Sequence, residues 1–221
     1  MRRVKRKGLL SGIGEGFLAA VLFCGQGIAA DSDVLASWLQ RPGPREHVSG
    51  EELKKASDDG SVTALMEIVE GRRDDWKLQI AAIRLLGEIG NPVATDLLIR
   101  VVTDHFFTNE CPALKWNGII ALGSFRDDPR VVDALLYRVR EETVYLREAV
   151  IQSLGRIGNR EALPYIIAAL QEKSFAVRIS AVRALGEMGY REAVPHLKKI
   201  AETDSEPLMR KEALRALERL G

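Results

Sequence analysis

Cysteine and aromatic residues are scarce in this sequence. The chain of 221 residues contains two cysteines, Cys24 and Cys111, and Phe, Tyr and Trp together make up 6% of it. So few cysteines exclude a disulfide framework and a cysteine-based zinc site. The hydrophobic content of 46% comes mainly from Leu, Ile, Val and Ala, a mixture that favours helices over sheets.

The residue sets that carry common catalytic chemistry are also missing. The three histidines, His47, His105 and His196, lie far apart in the sequence, and there is no H-E-x-x-H motif or His-Glu dipeptide to hold a metal. Cys111 with scattered histidines does not form a nucleophile–base pair. We therefore expect a protein with no enzyme activity, no cofactor and no metal.

The first thirty residues have the parts of a secretory signal peptide. Five basic residues between Arg2 and Lys7 precede an apolar run from Gly16 to Ala30 that ends in small residues. The run is too short to span a membrane comfortably. We expect cleavage after Ala30 or Ala29, which gives an exported protein, periplasmic or secreted, without a stable membrane span. An uncleaved N-terminal anchor is the alternative.

The net charge of the chain argues against a nucleic-acid partner. The whole chain has 32 basic and 31 acidic residues, and residues 1–30 contain five of the basic and one of the acidic ones. The remainder therefore has 27 basic and 30 acidic residues, a net charge of −3. Such a chain has no broad basic surface for phosphates.

A Leu-Gly pair recurs at a nearly constant interval. It occurs at Leu86-Gly87, Leu122-Gly123, Leu154-Gly155 and Leu185-Gly186, and in altered form at Leu217-Glu218. The intervals are 36, 32, 31 and 32 residues. A fixed period in this range predicts a stack of structural repeats.

Each interval has the pattern of two helices with marked ends. In the fourth unit, the apolar residues of the first helix share one face: Val177, Ala181, Ala184, Leu185 and Met188. Gly90, Gly158 and Gly189 are placed to end first helices in the left-handed conformation. Asn91 and Asp128, each followed by proline, are placed to cap second helices.

The sequence therefore predicts an all-α solenoid, because one hairpin buries its apolar face only against its neighbours. The full units are 75–108, 109–141, 142–173 and 174–204, followed by a closing helix, 205–220. Residues 49–74 form a weaker first unit. We assign 1–30 to the signal peptide, 31–60 to an N-terminal linker or cap and 61–221 to the solenoid.

The string V-R-x-x-A-x-x-A-L-G-x-x-G, followed by E-A-x-P-x-L, occurs at residues 177–189 and 192–197. It resembles HEAT repeats of the phycobilin-lyase type over about residues 75–221. The resemblance implies a right-handed α-solenoid of helix hairpins. It also implies two alternative functions: a chromophore lyase or isomerase, which the expected export opposes, and nucleic-acid binding, which the net charge opposes.

The residues eight positions before each Leu-Gly glycine form a column: Gln79, Lys115, Arg147, Arg178 and Arg210. The resemblance implies that the arginines of this column form a ladder, in which each arginine binds an acidic or carbonyl group of the unit before its own. An anion-binding stripe is the alternative. Because Gln79 and Lys115 depart from the pattern, we expect looser coupling in the first full units.

Two features outside the repeat pattern are candidates for contact with a partner. The 36-residue interval contains an insertion with Phe106 and Phe107, which either contact a partner or fold back onto the core. The second helices are expected to line the concave face, with an ordinary polar surface as the alternative. Their exposed sides carry five further candidates: Arg100, Tyr137, Tyr165, His196 and Lys199.

We therefore predict an exported scaffold that binds a protein partner through its concave face and performs no chemistry. The closing helix, 205–220, has no second helix to cover it. Apolar residues left outside the stack there, such as Leu214 and Leu217, would allow a homodimer.

Overall fold

The computed structural model describes residues 57–71, 75–104, 107, 111–138, 140 and 143–221. The expected signal peptide and nearly all of the expected linker, 31–60, lie outside these ranges. Within them no strand occurs, and ten α-helices follow one another. Their bounds are α1 Asp59–Gly71, α2 Trp76–Ile89, α3 Thr95–Thr103, α4 Pro112–Leu122, α5 Pro129–Arg138, α6 Val144–Ile157, α7 Leu163–Ala169, α8 Phe175–Met188, α9 Val194–Thr203 and α10 Pro207–Leu220.

The helices alternate between two layers. The first-helix layer consists of α2, α4, α6, α8 and α10, which carry the Leu-Gly pair or its altered copy, and each of these helices stacks on the next. The second-helix layer consists of α1, α3, α5, α7 and α9. The chain is therefore an all-α solenoid, as the sequence predicts. Among the described helices, none is long and apolar enough to cross a membrane.

Helix ends follow the predicted capping residues. Gly90, Gly158 and Gly189 end α2, α6 and α8 with φ of 66°, 71° and 75°, a conformation in which a Cβ is strained. The Asn91 side chain accepts a hydrogen bond from the Val93 amide at 3.0 Å, and Asp128 accepts one from Arg130 N–H, also at 3.0 Å. These caps confirm the predicted capping residues, and they lie at the turns between the first and second helices of the hairpins.

Small residues bring neighbouring first helices into close contact. A Cβ added at Gly155 would lie 2.5 Å from the Ala184 Cβ, and one at Gly186 would lie 2.8 Å from the Ala216 Cβ. Gly87 meets Ala121 of α4 in the same way, at 2.6 Å. The recurring glycine of the sequence repeat therefore marks the point where two helices touch through their backbones.

Second helices lie further apart than first helices. Among the described residues, α3 and α5 pack on each other, whereas α5, α7 and α9 have few close backbone contacts with one another. A stack whose helices are closer on one side bends toward that side. The first-helix layer is therefore the inner, concave layer. This differs from the expected placement of the second helices there, because the glycine-to-alanine contacts occur between first helices.

The arginine column forms much of the predicted ladder. Arg178 donates hydrogen bonds to the carbonyls of Glu172 and Lys173, both at 2.9 Å. Arg210 donates to the carbonyls of Asp204 and Ser205 at 2.7 and 3.2 Å. In both cases the acceptors follow the preceding second helix, where carbonyls lack helical partners. Each of these arginines thus joins its own unit to the one before it.

The expected looser coupling at Gln79 is not what the structure shows. The buried amide of Gln79 donates to the Val69 carbonyl at 2.7 Å, so a shorter side chain makes the same kind of junction. In the next unit, Arg138 of α5 donates to the carbonyls of Val102 and Thr103, both at 3.0 Å. The end of α3 is therefore tied by a second-helix arginine that the column did not reveal.

Candidate partner-binding groove

A groove runs across three consecutive first helices, on the concave side of the solenoid. It has a volume of about 410 Å³ and crosses α4, α6 and α8. Its lining residues are Trp116, Ile120, Gln152, Arg156, Ser180, Arg183, Ala184 and Glu187. All of them belong to first helices, so the groove is a product of the inward bend of that layer.

The middle of the groove is held by side-chain hydrogen bonds between α6 and α8. The Gln152 amide donates to the Glu148 carboxylate at 3.1 Å, and the buried Ser180 hydroxyl donates to the same carboxylate oxygen at 3.3 Å. One carboxylate therefore orients both polar groups. The Gln152 amide also donates to the Ser180 hydroxyl at 3.5 Å, which leaves its side-chain oxygen as an acceptor. Because Gln152 lines the groove, that oxygen can accept a hydrogen bond from a peptide N–H.

An ion-pair cluster joins α8 to α10 beside the groove. Glu212 accepts hydrogen bonds from Arg183 at 3.3 Å and from Arg215 at 2.7 Å. Burial by itself would raise the pKa of Glu212, but the hydrogen bond and charge of Arg183, together with Arg215, lower it overall. The carboxylate is therefore ionised at neutral pH and holds Arg183 at the groove wall.

The α4 end of the groove is apolar. The Trp116 side chain is 38% exposed and Ile120 is half-buried. An exposed aromatic beside an aliphatic side chain is the kind of site that binds an apolar anchor residue. This end therefore differs in chemistry from the α8 end, where Arg156 and Glu187 lie.

The candidates predicted on the second helices lie on the other layer. Arg100 pairs with Glu70 of α1, and Tyr137 is 73% exposed, with Arg138 stacked on its ring at 5.1 Å. Tyr165 is 43% exposed, and His196 and Lys199 of α9 are exposed as well. These residues form a row of exposed side chains that shares no lining residue with the groove.

The structure describes one of the two phenylalanines of the insertion. Phe107 is 7% exposed and belongs to the hydrophobic core. It therefore takes the second of its two predicted roles and is not accessible to a partner, since the aromatic ring gains more by filling the core than by facing water. Phe106 lies outside the described residues.

The residues that line the groove were not among the sequence candidates. They occupy repeat positions such as three before the Leu-Gly glycine, where successive units have Arg84, Ile120, Gln152, Arg183 and Arg215. The neighbouring core column, one position before, is uniformly aliphatic, with Ile83, Ile119, Ile151, Val182 and Leu214. Variation between repeats at one helical position is the signal that could have found them, because packing constrains the core column and leaves the groove column free.

Little in the described residues indicates a reactive centre. No group of three or more His, Cys, Asp or Glu side chains is placed to hold a metal in that part of the chain. Cys111 is half-buried at the start of α4. The carboxyls with lowered pKa have structural causes, such as Asp128, whose pKa falls mainly through its hydrogen bond with Arg130.

A profile of HEAT repeats matches residues 62–145 and 136–218. The chain belongs to the HEAT-repeat family. No curated protein sequence matches it significantly. The matched residues of this HEAT-repeat chain contain every first helix from α2 to α8 and nearly all of α10, so the groove lies within the family's own repeat.

Solved structures share the architecture of this HEAT-repeat chain. A designed armadillo repeat protein in complex with the peptide (KR)4 has a TM-score of 0.58 at 16% identity, over 78% of this chain and 87% of that one. The CpcE–CpcF complex of phycocyanin lyase from Nostoc sp. PCC7120 has a TM-score of 0.57 at 22% identity, over 99% and 82%. An engineered protein has a TM-score of 0.59 at 17% identity, over 93% and 96%. At these identities the similarity concerns the fold.

Proposed function

We propose that this HEAT-repeat protein is a non-catalytic, exported scaffold that binds an extended segment of a protein partner in the first-helix groove. The observation that carries the proposal is the continuous groove across α4, α6 and α8, with an apolar end at Trp116 and polar side chains further along. Concave surfaces of repeat stacks offer such elongated sites because each unit adds one helix to the surface.

The dimensions of the groove fit an extended chain. Neighbouring helix axes are about 8–10 Å apart in close packing, so the path of the groove from α4 to α8 is on the order of 18 Å. An extended peptide advances about 3.3 Å per residue, so about five residues span this path. Side chains such as Gln152 supply hydrogen-bonding groups for a backbone, and Trp116 supplies an apolar contact. A designed armadillo protein of similar fold binds the peptide (KR)4, which is a precedent for this mode in a helical solenoid.

Position-specific crosslinking in the cell tests the proposal. A photo-crosslinking amino acid is placed at Gln152 in the groove or, as a matched position, at Tyr165 on the second-helix layer, and the adducts are identified by mass spectrometry. We expect one protein adduct from position 152 and none from 165. Adducts from position 165 alone would move the binding face to the second helices and support Tyr137, Tyr165 and their neighbours; no adduct at either position would contradict a scaffold.

Export is the second part of the proposal, and it rests on residues 1–30 of the sequence. Cell fractionation followed by N-terminal sequencing of the recovered protein tests it. We expect a mature chain that begins at Asp31 or Ala30, outside the cytoplasm. A chain that keeps Arg2 and sediments with membranes would support the uncleaved anchor instead, and a full-length chain in the cytosol would contradict export.

The closing helix supports the proposed homodimer contact. Leu214 is 53% exposed, although the equivalent Val182 of α8 is 0% exposed beneath α10. A core position without a covering helix is a candidate self-association surface. Sedimentation at increasing concentration should show a dimer that Leu214→Lys abolishes; a monomer throughout would remove this contact.

A further inference from the structure

A second cavity continues the groove toward the carboxyl ends of the first helices. It has a volume of about 640 Å³. Its charged lining residues are Arg126, Arg156, Glu187 and Arg219. Arg156 and Glu187 line both cavities. The two therefore form one continuous surface along the concave side, from Trp116 on α4 to Arg219 on α10.

Three of the arginines on this surface have no acidic partner among the described residues. Arg126, Arg156 and Arg219 are all exposed and take part in none of the ion pairs there. By contrast, Arg183 on the same surface is paired with Glu212. The single acidic lining residue, Glu187, leaves an excess of positive charge at this end.

The local helix ends account for only part of this charge. Arg156 lies in the last turn of α6 and Arg219 in that of α10, where a cation stabilises the helix through its dipole. Arg126 lies outside any helix, between α4 and α5, and the last turn of α8 carries no basic residue. The dipole therefore does not explain why three arginines from separate elements line one cavity. A cavity whose lining has an excess of one sign of charge attracts a ligand of the opposite sign.

The two ends of the surface thus differ in what they can bind. At the α4 end, Trp116 and Ile120 offer an apolar contact. At the other end, Arg126, Arg156 and Arg219 offer guanidinium groups that match carboxylates, which they can bind with two parallel hydrogen bonds. A segment that lies along the surface would therefore contact the apolar side chains with one of its ends and the guanidinium groups with the other.

We propose that the groove binds an acidic peptide segment of the partner, with a bulky apolar residue at the Trp116 end and carboxylates at the Arg126–Arg156–Arg219 end. This inference rests on the proposed function, since it names the chemistry of the segment that the same groove takes. It assigns Trp116 and the three arginines as the residues that set specificity. The excess of unpaired positive charge is what distinguishes an acidic occupant from a neutral one.

Binding of labelled peptides to the full mature protein tests the inference by fluorescence anisotropy. The whole surface from α4 to α10 covers three helix intervals, on the order of 27 Å, which an extended peptide of about eight residues spans. The probes are three peptides of about this length that share a Leu-Phe pair at one end. The rest of each is rich in Glu and Asp, in Gln and Asn, or in Lys. We expect the acidic peptide to bind about tenfold more tightly than the amide peptide at low salt, because several exposed ion pairs together amount to a factor of this order, and the lysine peptide to bind most weakly.

A charge-matched pair of variants assigns the preference to the groove. Arg156→Gln with Arg219→Gln should weaken binding of the acidic peptide about tenfold and leave the amide peptide unchanged. Lys198→Gln with Lys199→Gln removes the same charge from exposed positions of α9 and should change either affinity by less than about twofold. Circular dichroism of each variant checks that the helices are retained. Trp116→Ala should weaken the binding of the acidic and the amide peptide equally, because both peptides carry the Leu-Phe pair.

The remaining outcomes separate this inference from the proposed function. Equal affinities for acidic and amide peptides, both reduced by Trp116→Ala, would overturn the acidic specificity and leave the groove as a binding site. A single-stranded oligonucleotide that binds more tightly than the acidic peptide would overturn it in favour of nucleic acid. Absence of binding by all three peptides would also overturn it, and the crosslinks from position 152 decide independently whether the groove binds a protein at all.

Discussion

The two layers of this solenoid are held together by different kinds of interaction. First helices touch through glycine and alanine, and a Cβ added at Gly155 would overlap Ala184. Second helices are joined near the surface by ion pairs between successive units, such as Arg130 with Asp96 at 2.7 Å. Close backbone contact tolerates no added volume, whereas an exposed ion pair contributes little. The inner layer therefore determines the shape of the stack.

The comparison of the two layers shows at which positions the sequence can vary without loss of the fold. In the first-helix layer, the fixed contacts leave other positions free to vary, and several of these, such as Ile120, Gln152 and Arg183, line the groove. In the second-helix layer, exposed residues such as Tyr137 are also free to vary, but they do not share a cavity with the groove. The contacts that set the shape of the stack and the proposed binding groove thus belong to the same layer, at adjacent positions of the same helices.

The largest expected effect concerns the glycine contact. Gly155→Leu should destabilise the protein by about 3 kcal/mol, because the new side chain has to displace α8. Gly71→Leu is the matched control: a Cβ there meets nothing within 4 Å, so the change should stay within about 0.5 kcal/mol. Urea denaturation followed by circular dichroism measures both. Equal effects would mean that the first-helix contact does not determine the spacing of units.

The arginine ladder is expected to matter less than the glycine contact and more than a surface ion pair. Arg178→Met leaves the carbonyls of Glu172 and Lys173 without their donor, which should cost about 2 kcal/mol. Arg160→Met removes an exposed pair with Glu192 on the second-helix side, which should cost less than about 1 kcal/mol. Denaturant midpoints of the two variants give the comparison. The opposite ranking would show that the second-helix layer is the more strongly coupled one.

The smallest expected effect is a dependence on pH. The pKa of Glu212 is lowered in the folded chain, so its ionised form stabilises the fold at neutral pH, and this contribution is lost as pH falls through the folded-state pKa. Glu212→Gln should therefore lower stability by about 1 kcal/mol at about pH 6, and this difference should shrink as the pH falls below 4.5, the ordinary pKa of a glutamate. Glu202→Gln is the control: it removes an exposed carboxylate of α9 that takes part in none of the ion pairs among the described residues, and it should follow the wild-type profile. A constant deficit for Glu212→Gln at every pH would contradict an electrostatic role.

Much of the fold follows from the sequence because repetition multiplies each local signal. Gly90, Gly158 and Gly189 occupy equivalent positions and all adopt positive φ. Arg178 and Arg210 likewise bind equivalent carbonyls. Each pattern recurs in several units, so a coincidence at one position does not alter the prediction.

The concave face was harder to predict, for a physical reason. Which layer is concave depends on the relative spacing of two sets of helices, and the residues of a single hairpin do not state it. The spacing is set by contacts such as Gly186 with Ala216, which involve residues 30 positions apart. The hydrogen bond from Arg138 to the end of α3 was not predicted for the same reason, since it depends on how α5 lies against α3. Local patterns predict the units, and the contacts between units determine the surface.

Cysteine labelling in the bound state tests the central assignment, that the first-helix layer is the binding face, most directly. In a chain without its natural cysteines (Cys24→Ser, Cys111→Ser), Gln152→Cys reports on the groove and Tyr165→Cys on the second-helix layer. The labelling rate of each is measured with and without the acidic peptide or the partner identified by crosslinking. We predict that the bound ligand slows labelling at position 152 severalfold and leaves position 165 unchanged. Protection at position 165, with position 152 still reactive, would contradict the assignment.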